Sequence, residues 1–430
     1  MVDAQNMIEP KFEAAVGMSR KWDAREAGRE VAETAIEKLI RPPDFFLLFS
    51  TIHYEKHGGF QEFLNGIWDV LPQGTPLVGG TVVGFMNNYG CYTRGATALA
   101  VSYPNIDIAI GVGHNTKKNP EKATENCAKA ILNKLKYSNY EKTFVFQLVS
   151  GATMPHFPGF GSGFVLKGKI KSSLASRLIE VSTRRLQKGI GREEEVLEKM
   201  SKIMENSHII SGSSSDNMKL SKNYQFFNRD IFTNSVVAIG FKSDRKIDVK
   251  YSHGFHKLLD QNLKITEKSF GGKIIKKINN NDAVNEFIKV IRWSENMLDE
   301  RLHEKTFFFP LGFEYNDKTL SPAAIGAILG GAFSFSFRTI SDDLFVLTAS
   351  GQSIANAIDI CMDQDSELTF GVSCCANLVT LGNEIYHVQE RLQDYLKNFL
   401  VIFTLGEGVY LPSEKITKFF NETNIVLSIK

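Results

Sequence analysis

Apolar positions along this chain recur at two spacings, and the switches between them mark out the elements. Residues 11–18 read as a strand, and the run from Phe45 to Ser50 (FFLLFS) is apolar between turn residues, the pattern of a strand buried on both faces. Between them Ala27, Val31, Ala35 and Leu39 fall on one helical face, behind Asp23 and Glu26 spaced as a capping box, and Pro42-Pro43 ends that helix. Phe63, Ile67, Trp68 and Leu71 give a second helix its apolar side. A strand through Leu77 and Val78 then runs into Gly79, Gly80 and Gly84. Residues 97–103 and 106–112 follow as extended runs joined at Pro104-Asn105, which predicts a hairpin.

The same order then returns. Residues 106–113 stand for the first strand, a helix over 119–135 for the first helix, 143–149 for FFLLFS, and Val196, Met200, Ile203 and Met204 for the second helix. Residues 208–216 (HIISGSSSD) take the place of the Gly-rich strand, and 235–241 with 247–254 repeat the closing hairpin. The expected N-terminal domain is therefore an internally duplicated α/β domain over 1–260, with repeats at 11–113 and 106–256 sharing the 106–113 strand. Such a duplication predicts a pseudo-twofold arrangement that sets Gly79-Gly80 and Gly212-Ser213 at related positions. The second copy is lengthened mainly by an insertion over 152–192, first Gly-rich and then basic. After 260 the pattern changes to strands through Ile265 and Ile274, a helix over 282–292, and a hairpin from alternating Phe333, Phe335 and Phe337 to Leu344, Val346 and Thr348. A helix over 353–362, a strand over 368–374, a helix over 385–399 and a strand over 400–405 complete a smaller α+β domain, 261–430. The fold class expected is α/β with mixed sheets.

Composition narrows the partners. The 430 residues hold 50 Lys+Arg against 48 Asp+Glu, so a net charge of +2 supplies no general cationic excess and a nucleic acid is not expected. Locally, eight Lys or Arg and one acid, Glu180, lie between Lys167 and Arg192; this reads as a solvated insertion or as a face for an acidic partner. Five cysteines (Cys91, Cys127, Cys361, Cys374, Cys375) show no C-x-x-C spacing, so neither a disulfide framework nor a zinc knuckle is indicated. With no secretory pattern at the start, and an uncharged run at 319–337 broken by Gly, Ser and Pro, the expectation is a soluble cytoplasmic protein without a membrane span.

Candidate chemistry gathers at the Gly-rich strand ends. Gly79, Gly80 and Thr81, and likewise Ser213, Ser214 and Asp216, would let backbone N–H groups and small hydroxyls approach a ligand, with Asp216 accepting from an ammonium; ordinary turns have the same composition. Cys374 ends a predicted strand without a sequence-adjacent histidine, and Glu407 sits on a turn between Gly406 and Gly408. His53 and His57 are four apart, a metal-holding spacing on a helix, but the segment follows a strand and precedes Gly58-Gly59, so no metal is expected. The G-x-G-x-x-G, P-loop and G-x-S-x-G signatures are absent, and no cofactor and no catalytic residue is assigned.

Three stretches and a C-terminal set carry a family likeness: GMSRKWDAREAGREVAETA near the start, LVGGTVVGF, IISGSSSD, and then Ser373-Cys374-Cys375-Ala376, Gly382, Glu390, Phe403-Thr404-Leu405-Gly406-Glu407 and Phe420-Asn421-x-Thr423. On these the chain resembles the FIST proteins, with paired N-terminal and C-terminal FIST domains at 1–260 and 261–430. The resemblance implies an intracellular sensory module that binds a small ligand such as an amino acid or related metabolite and signals through a protein partner or a homo-oligomer. A sensor of that kind is expected to bind at the Gly-rich strand ends, where Gly79, Gly80, Thr81, Ser213, Ser214 and Asp216 would face Cys374, Glu407 and Asn421 of the C-terminal domain. Asn377 stands where the family commonly has Arg, which removes a bidentate carboxylate contact, and Gly408 stands where it commonly has an apolar residue. The alternatives are a protein-interaction scaffold, with the basic 152–192 insertion as its partner face, and a cysteine-dependent acyl-transfer or hydrolase enzyme using Cys374 or Cys375 with Glu407.

Overall fold

The computed structural model describes residues 11–154, 165–166, 169–259, 263–299 and 301–430. Its α/β body is three sheets built to one strand order. In the first, an opening strand, Glu13–Ser19, pairs antiparallel with a closing strand, Ala96–Ser102; the closing strand pairs antiparallel with a second, Phe45–Ser50, which runs parallel to a third, Leu77–Thr81. The second sheet repeats this with Ile106–His114, Ser235–Ser243, Lys142–Ser150 and His208–Ser214. Ile247–Ser252, Asn424–Ile429, Leu368–Cys374 and Phe399–Thr404 repeat it again.

The unit thus occurs three times, where the sequence pattern suggests two copies. The third copy is hard to see because residues 256–348 are inserted between its opening strand and its first helix, Gly351–Cys361. That insert forms a fourth, largely antiparallel sheet, from Leu263–Ser269 to Asp343–Thr348, with helix Ala283–Ile291 packed on it. Strand pairs also cross residue 260, since Ile247–Ser252 lies against Asn424–Ile429 and Gly84–Asn87 against Phe399–Thr404.

The hairpins expected at 97–112 and 235–254 do not form. In both places the two strands belong to different sheets, and the short link between them turns a corner. The corners are tied to each other: Tyr103 Oη donates to Asp244 Oδ1 at 2.8 Å and Asn105 Nδ2 to Asp244 Oδ2 at 2.7 Å. True hairpins occur after each third strand, and each leaves its own sheet. Gly84–Asn87 with Gly90–Tyr92 joins the third sheet, Gln225–Phe227 with Asp230–Phe232 the first, and Glu407–Leu411 with Ile416–Phe420 the second. The exchange is cyclic, and every sheet is completed by a neighbour's hairpin.

Burial on both faces explains the unbroken apolar strands. In FFLLFS, Phe45, Leu47 and Phe49 enter a core shared by the three sheets, whereas Phe46 and Leu48 face the unit's own helices, Ala24–Ile36 and Phe60–Trp68. One phenylalanine from each second strand meets the others there: Phe49 and Phe146 at 5.9 Å between ring centroids, Phe49 and Phe370 at 6.0 Å, and Phe146 and Phe370 at 4.9 Å. Asp23 caps the first helix as its sequence suggests, accepting from the Glu26 N–H at 3.0 Å. No helix among the described residues is long and apolar enough to cross a membrane.

Candidate functional site

Second and third strands run parallel in each unit and end together, so three residue pairs occupy matching positions: Ser50 with Thr81, Ser150 with Ser214, and Cys374 with Thr404. Side chains at the carboxyl ends of parallel strands are free of ladder duties and available to a site. In the third unit this end opens on a cavity of about 90 Å³, lined by Cys374, Cys375, Leu405 and Asn421. The second unit contributes Met154 and Glu193 to its wall, and the insert contributes residues 324–327 and 334–336. Most of the wall is apolar. Asn421 secures one side, donating from Nδ2 to the Leu405 carbonyl at 2.8 Å while Oδ1 accepts from the Ala324 N–H at 3.1 Å and the Ser336 hydroxyl at 2.9 Å.

Behind Cys374 lie two buried carboxyl groups. Glu407 Oε1 accepts from Thr404 Oγ1 at 2.8 Å and the carboxyl group faces Cys374 and the Thr423 backbone, whereas both carboxyl oxygens of Glu422 have no hydrogen-bond partner among the described residues. Burial, followed by the neighbouring Cys374, holds Glu407 well above the usual carboxylate range; burial and then Glu407 do the same to Glu422. Glu422 is also in the left-handed region at φ 54°, which a non-glycine residue adopts only when its surroundings impose it. Burial likewise pushes the Cys374 thiol well above its usual value, with Cys375 adding to the effect. A thiol kept protonated beside two carboxyl groups is a poor nucleophile.

Four of the nine expected residues gather here. Cys374 and Asn421 line the cavity, Glu407 lies directly behind, and Ser213 reaches the same turn through its N–H to the Gly406 carbonyl at 3.1 Å. Ser214 belongs to a separate polar network, accepting from Gln225 Nε2 at 2.6 Å. Asp216 braces its own loop, its carboxylate accepting from the N–H groups of Leu220, Ser221 and Lys222 and from the Ser221 hydroxyl at 2.7–3.3 Å. Gly79 and Gly80 sit between the strands Phe45–Ser50 and Gln225–Phe227 in one sheet, where an added Cβ would come 1.7 Å from the Leu48 carbonyl oxygen at Gly79 and 2.4 Å from that of Tyr224 at Gly80. The close approach that glycine permits is used by the chain itself. Thr81 is occupied in the same crossing, exchanging N–H and Oγ1 bonds with Tyr224 at 2.9 and 3.0 Å.

His53 lies in a 3-10 turn, Ile52–Lys56, and His57 follows it, with ring centroids 6.0 Å apart. Of the basic 152–192 insertion, residues 155–164 and 167–168 lie outside the described residues; its helix Lys169–Val181 exposes Leu174, Leu178 and Val181. Glu193 and Glu422 carry no signal that marks them in the sequence. Glu193 reads there as part of an acidic helix start, and Glu422 as the middle of an Asn-x-Thr pattern.

A family model described as the FIST N domain matches residues 44–281, more than half of the chain. The chain belongs to the FIST family. FIST domains are sensory domains, which gives the protein a sensory role in general terms. The match begins in the second strand of the first unit and runs past the opening strand of the third into the insert. No curated protein matches this FIST chain. Among solved structures, cyanuric acid hydrolase from A. caulinodans is similar over 54% of this chain and 71% of that one, at 10% identity and a TM-score of 0.28, a likeness too slight to carry an argument.

Proposed function

We propose that this FIST protein senses a small, largely apolar metabolite with one polar head, such as an amino acid, bound in the cavity between Cys374, Asn421 and the insert. One observation carries the reading. The cavity wall is drawn from the second unit, the third unit and the insert together, so occupancy would bias how the insert packs on the body. Glu193 supplies the polar contact: it is buried, its Oε2 has no partner among the described residues, and that oxygen suits a ligand ammonium or hydroxyl. Domain boundaries at 260 remain part of this proposal only as sequence regions, a FIST N-terminal part and a C-terminal part that carries the insert. Signal output passes to a protein partner or to a second copy of the chain, in a cytoplasmic setting.

The test is a thermal-shift screen with free amino acids and small amides. A ligand at a hundred times its dissociation constant stabilises by about 2.7 kcal/mol, and the rise in melting temperature should vanish in Ala324→Phe, which fills the cavity. If no compound raises the melting temperature of the native chain, or if Ala324→Phe keeps the full rise, the reading fails. The scaffold alternative has its own support in the exposed Leu174, Leu178 and Val181 of the basic helix, spaced on one face.

A further inference from the structure

The second strands of the three units end on Ser50, Ser150 and Cys374, and the surroundings of these residues differ. Ser50 Oγ has no partner among the described residues, and Cys374 faces carboxyl groups. Ser150 faces an amine. Lys117, fully buried, follows the opening strand of the same unit and donates from Nζ to Ser150 Oγ at 3.2 Å and to Asn234 Oδ1 at 3.0 Å. In the first unit Lys21 follows the opening strand in the same way, but it is half exposed and pairs with Glu26 at 3.8 Å. A lysine so enclosed needs an explanation, because burying an ammonium group is costly unless a full counter-charge sits against it. Its two direct partners are neutral oxygens.

Ser150 and Asn234, the two groups that hold Lys117, both line a second cavity of about 410 Å³. Its lining includes the polar side chains of Thr153, Asn223, Lys188 and Lys222. Thr153 Oγ1 has no partner among the described residues. Ser150 Oγ is aligned by donating to Asn223 Oδ1 at 2.8 Å. We propose that Ser150 and Lys117 form a serine–lysine nucleophilic pair that hydrolyses a small carboxylic ester or amide bearing an anionic group. This reaction uses a different nucleophile from the Cys374 cavity, although Met154 lines both cavities and Glu193 bears on Lys117 as well.

The chemistry balances without a cofactor. Once the Lys117 amine is neutral, the Ser150 hydroxyl turns its proton from Asn223 Oδ1 to that amine and Oγ forms a bond to the carbonyl carbon as the proton passes; the C–O or C–N bond then breaks, and the leaving group takes that proton. Water attacks the acyl-serine, gives a proton to Lys117, and releases the acid as Ser150 recovers its proton. Thr153 Oγ1, in the same wall and without a partner among the described residues, would donate to the developing oxyanion, and Lys188 would attract the substrate's charge, Lys222 being paired with Glu55 at 2.7 Å. Burial lowers the Lys117 pKa, so that the neutral amine is reached nearer neutrality; Glu193 opposes this, while Arg192 is paired with Glu195 at 2.6 Å and reaches the Lys117 and Lys118 backbone carbonyls at 3.2 and 3.3 Å.

The experiment treats the full chain with a fluorophosphonate and, separately, with p-nitrophenyl acetate, followed by peptide mass mapping. An adduct on the Ser150 peptide is expected, absent in Ser150→Ala and formed at least tenfold more slowly in Lys117→Arg, which keeps the charge but cannot yield the proton. The native labelling rate should rise with pH through a midpoint below the ordinary lysine value of about 10.4. No adduct on Ser150 between pH 7 and 9.5, or equal labelling of folded Lys117→Arg, overturns the proposal. If Lys117→Arg does not fold, the native pH profile decides, and a flat profile rejects the pair.

Discussion

At the scale of single residues, the buried carboxyl groups make a direct prediction. Unfolded, a glutamate titrates near about 4.3; in the native chain Glu407 and Glu422 stay protonated far above that. The native state therefore binds more protons across this window, and stability from these groups is full below pH 4 to 5 and declines as pH rises toward the native values. Glu422→Gln removes one such group without changing its volume. Its melting temperature should exceed the native one at pH 8, match it near pH 5, and show a flatter slope between, the gain reaching about 1.4 kcal/mol for every pH unit that separates the unfolded and native titrations of Glu422. Thermal melts across that range decide it; a native chain equally stable at pH 5 and pH 8 would contradict it. Residues of this kind are the least legible in sequence. Lys117, Glu193 and Glu422 look like surface charges, because the period of apolar residues around them says nothing about which charged side chain is drawn inside. Cys374, Asn421 and Glu407 are legible because they follow strand ends.

At the scale of elements, strand identity is readable and strand partnership is not. FFLLFS, TFVFQLV and the Gly-rich runs all form strands close to where their patterns place them. Periodicity reports which faces are buried, yet a strand buried on both faces looks the same whichever neighbour it has. For that reason Pro104-Asn105 reads as a hairpin turn although it is a corner between sheets. The crossing at Gly79 gives a sharp test, since a Cβ there meets backbone and cannot be relieved by a rotamer change. Gly79→Ala should cost about 3 kcal/mol, measured by urea denaturation, more than Gly59→Ala, where nothing lies within 4 Å and only the positive φ of 87° is strained. Phe146→Ala should cost about 3–5 kcal/mol, because its ring contacts two other sheets. An effect confined to the second unit in hydrogen exchange would contradict that shared core.

At the scale of the whole molecule, the cyclic exchange of hairpins binds sequence-distant parts into one cooperative body. A fragment ending at residue 260 loses the partners of Gly84–Asn87 and Ile247–Ser252 and the third wall of the Phe49–Phe146–Phe370 cluster. The expected outcome is that 1–260 shows no cooperative melt by circular dichroism, whereas the full chain melts in a single transition. Independent melting of the fragment at the native temperature would restore the two-region division as two folding units. The third unit escapes notice in sequence because residues 256–348 separate its opening strand from the rest, which breaks the spacing on which a repeat is recognised.

The same exchange sets a timetable for synthesis. Asn88 Oδ1 waits for the Phe399 N–H, 311 positions further along the chain. On a ribosome adding roughly 5–20 residues per second, the first hairpin stays without the strand it pairs with, Phe399–Thr404, for about 15 to 60 seconds. An exposed β-edge of that lifetime is a binding site for chaperones and for other nascent copies, so the yield of this protein in the cell should depend on holdase supply more steeply than its equilibrium stability suggests.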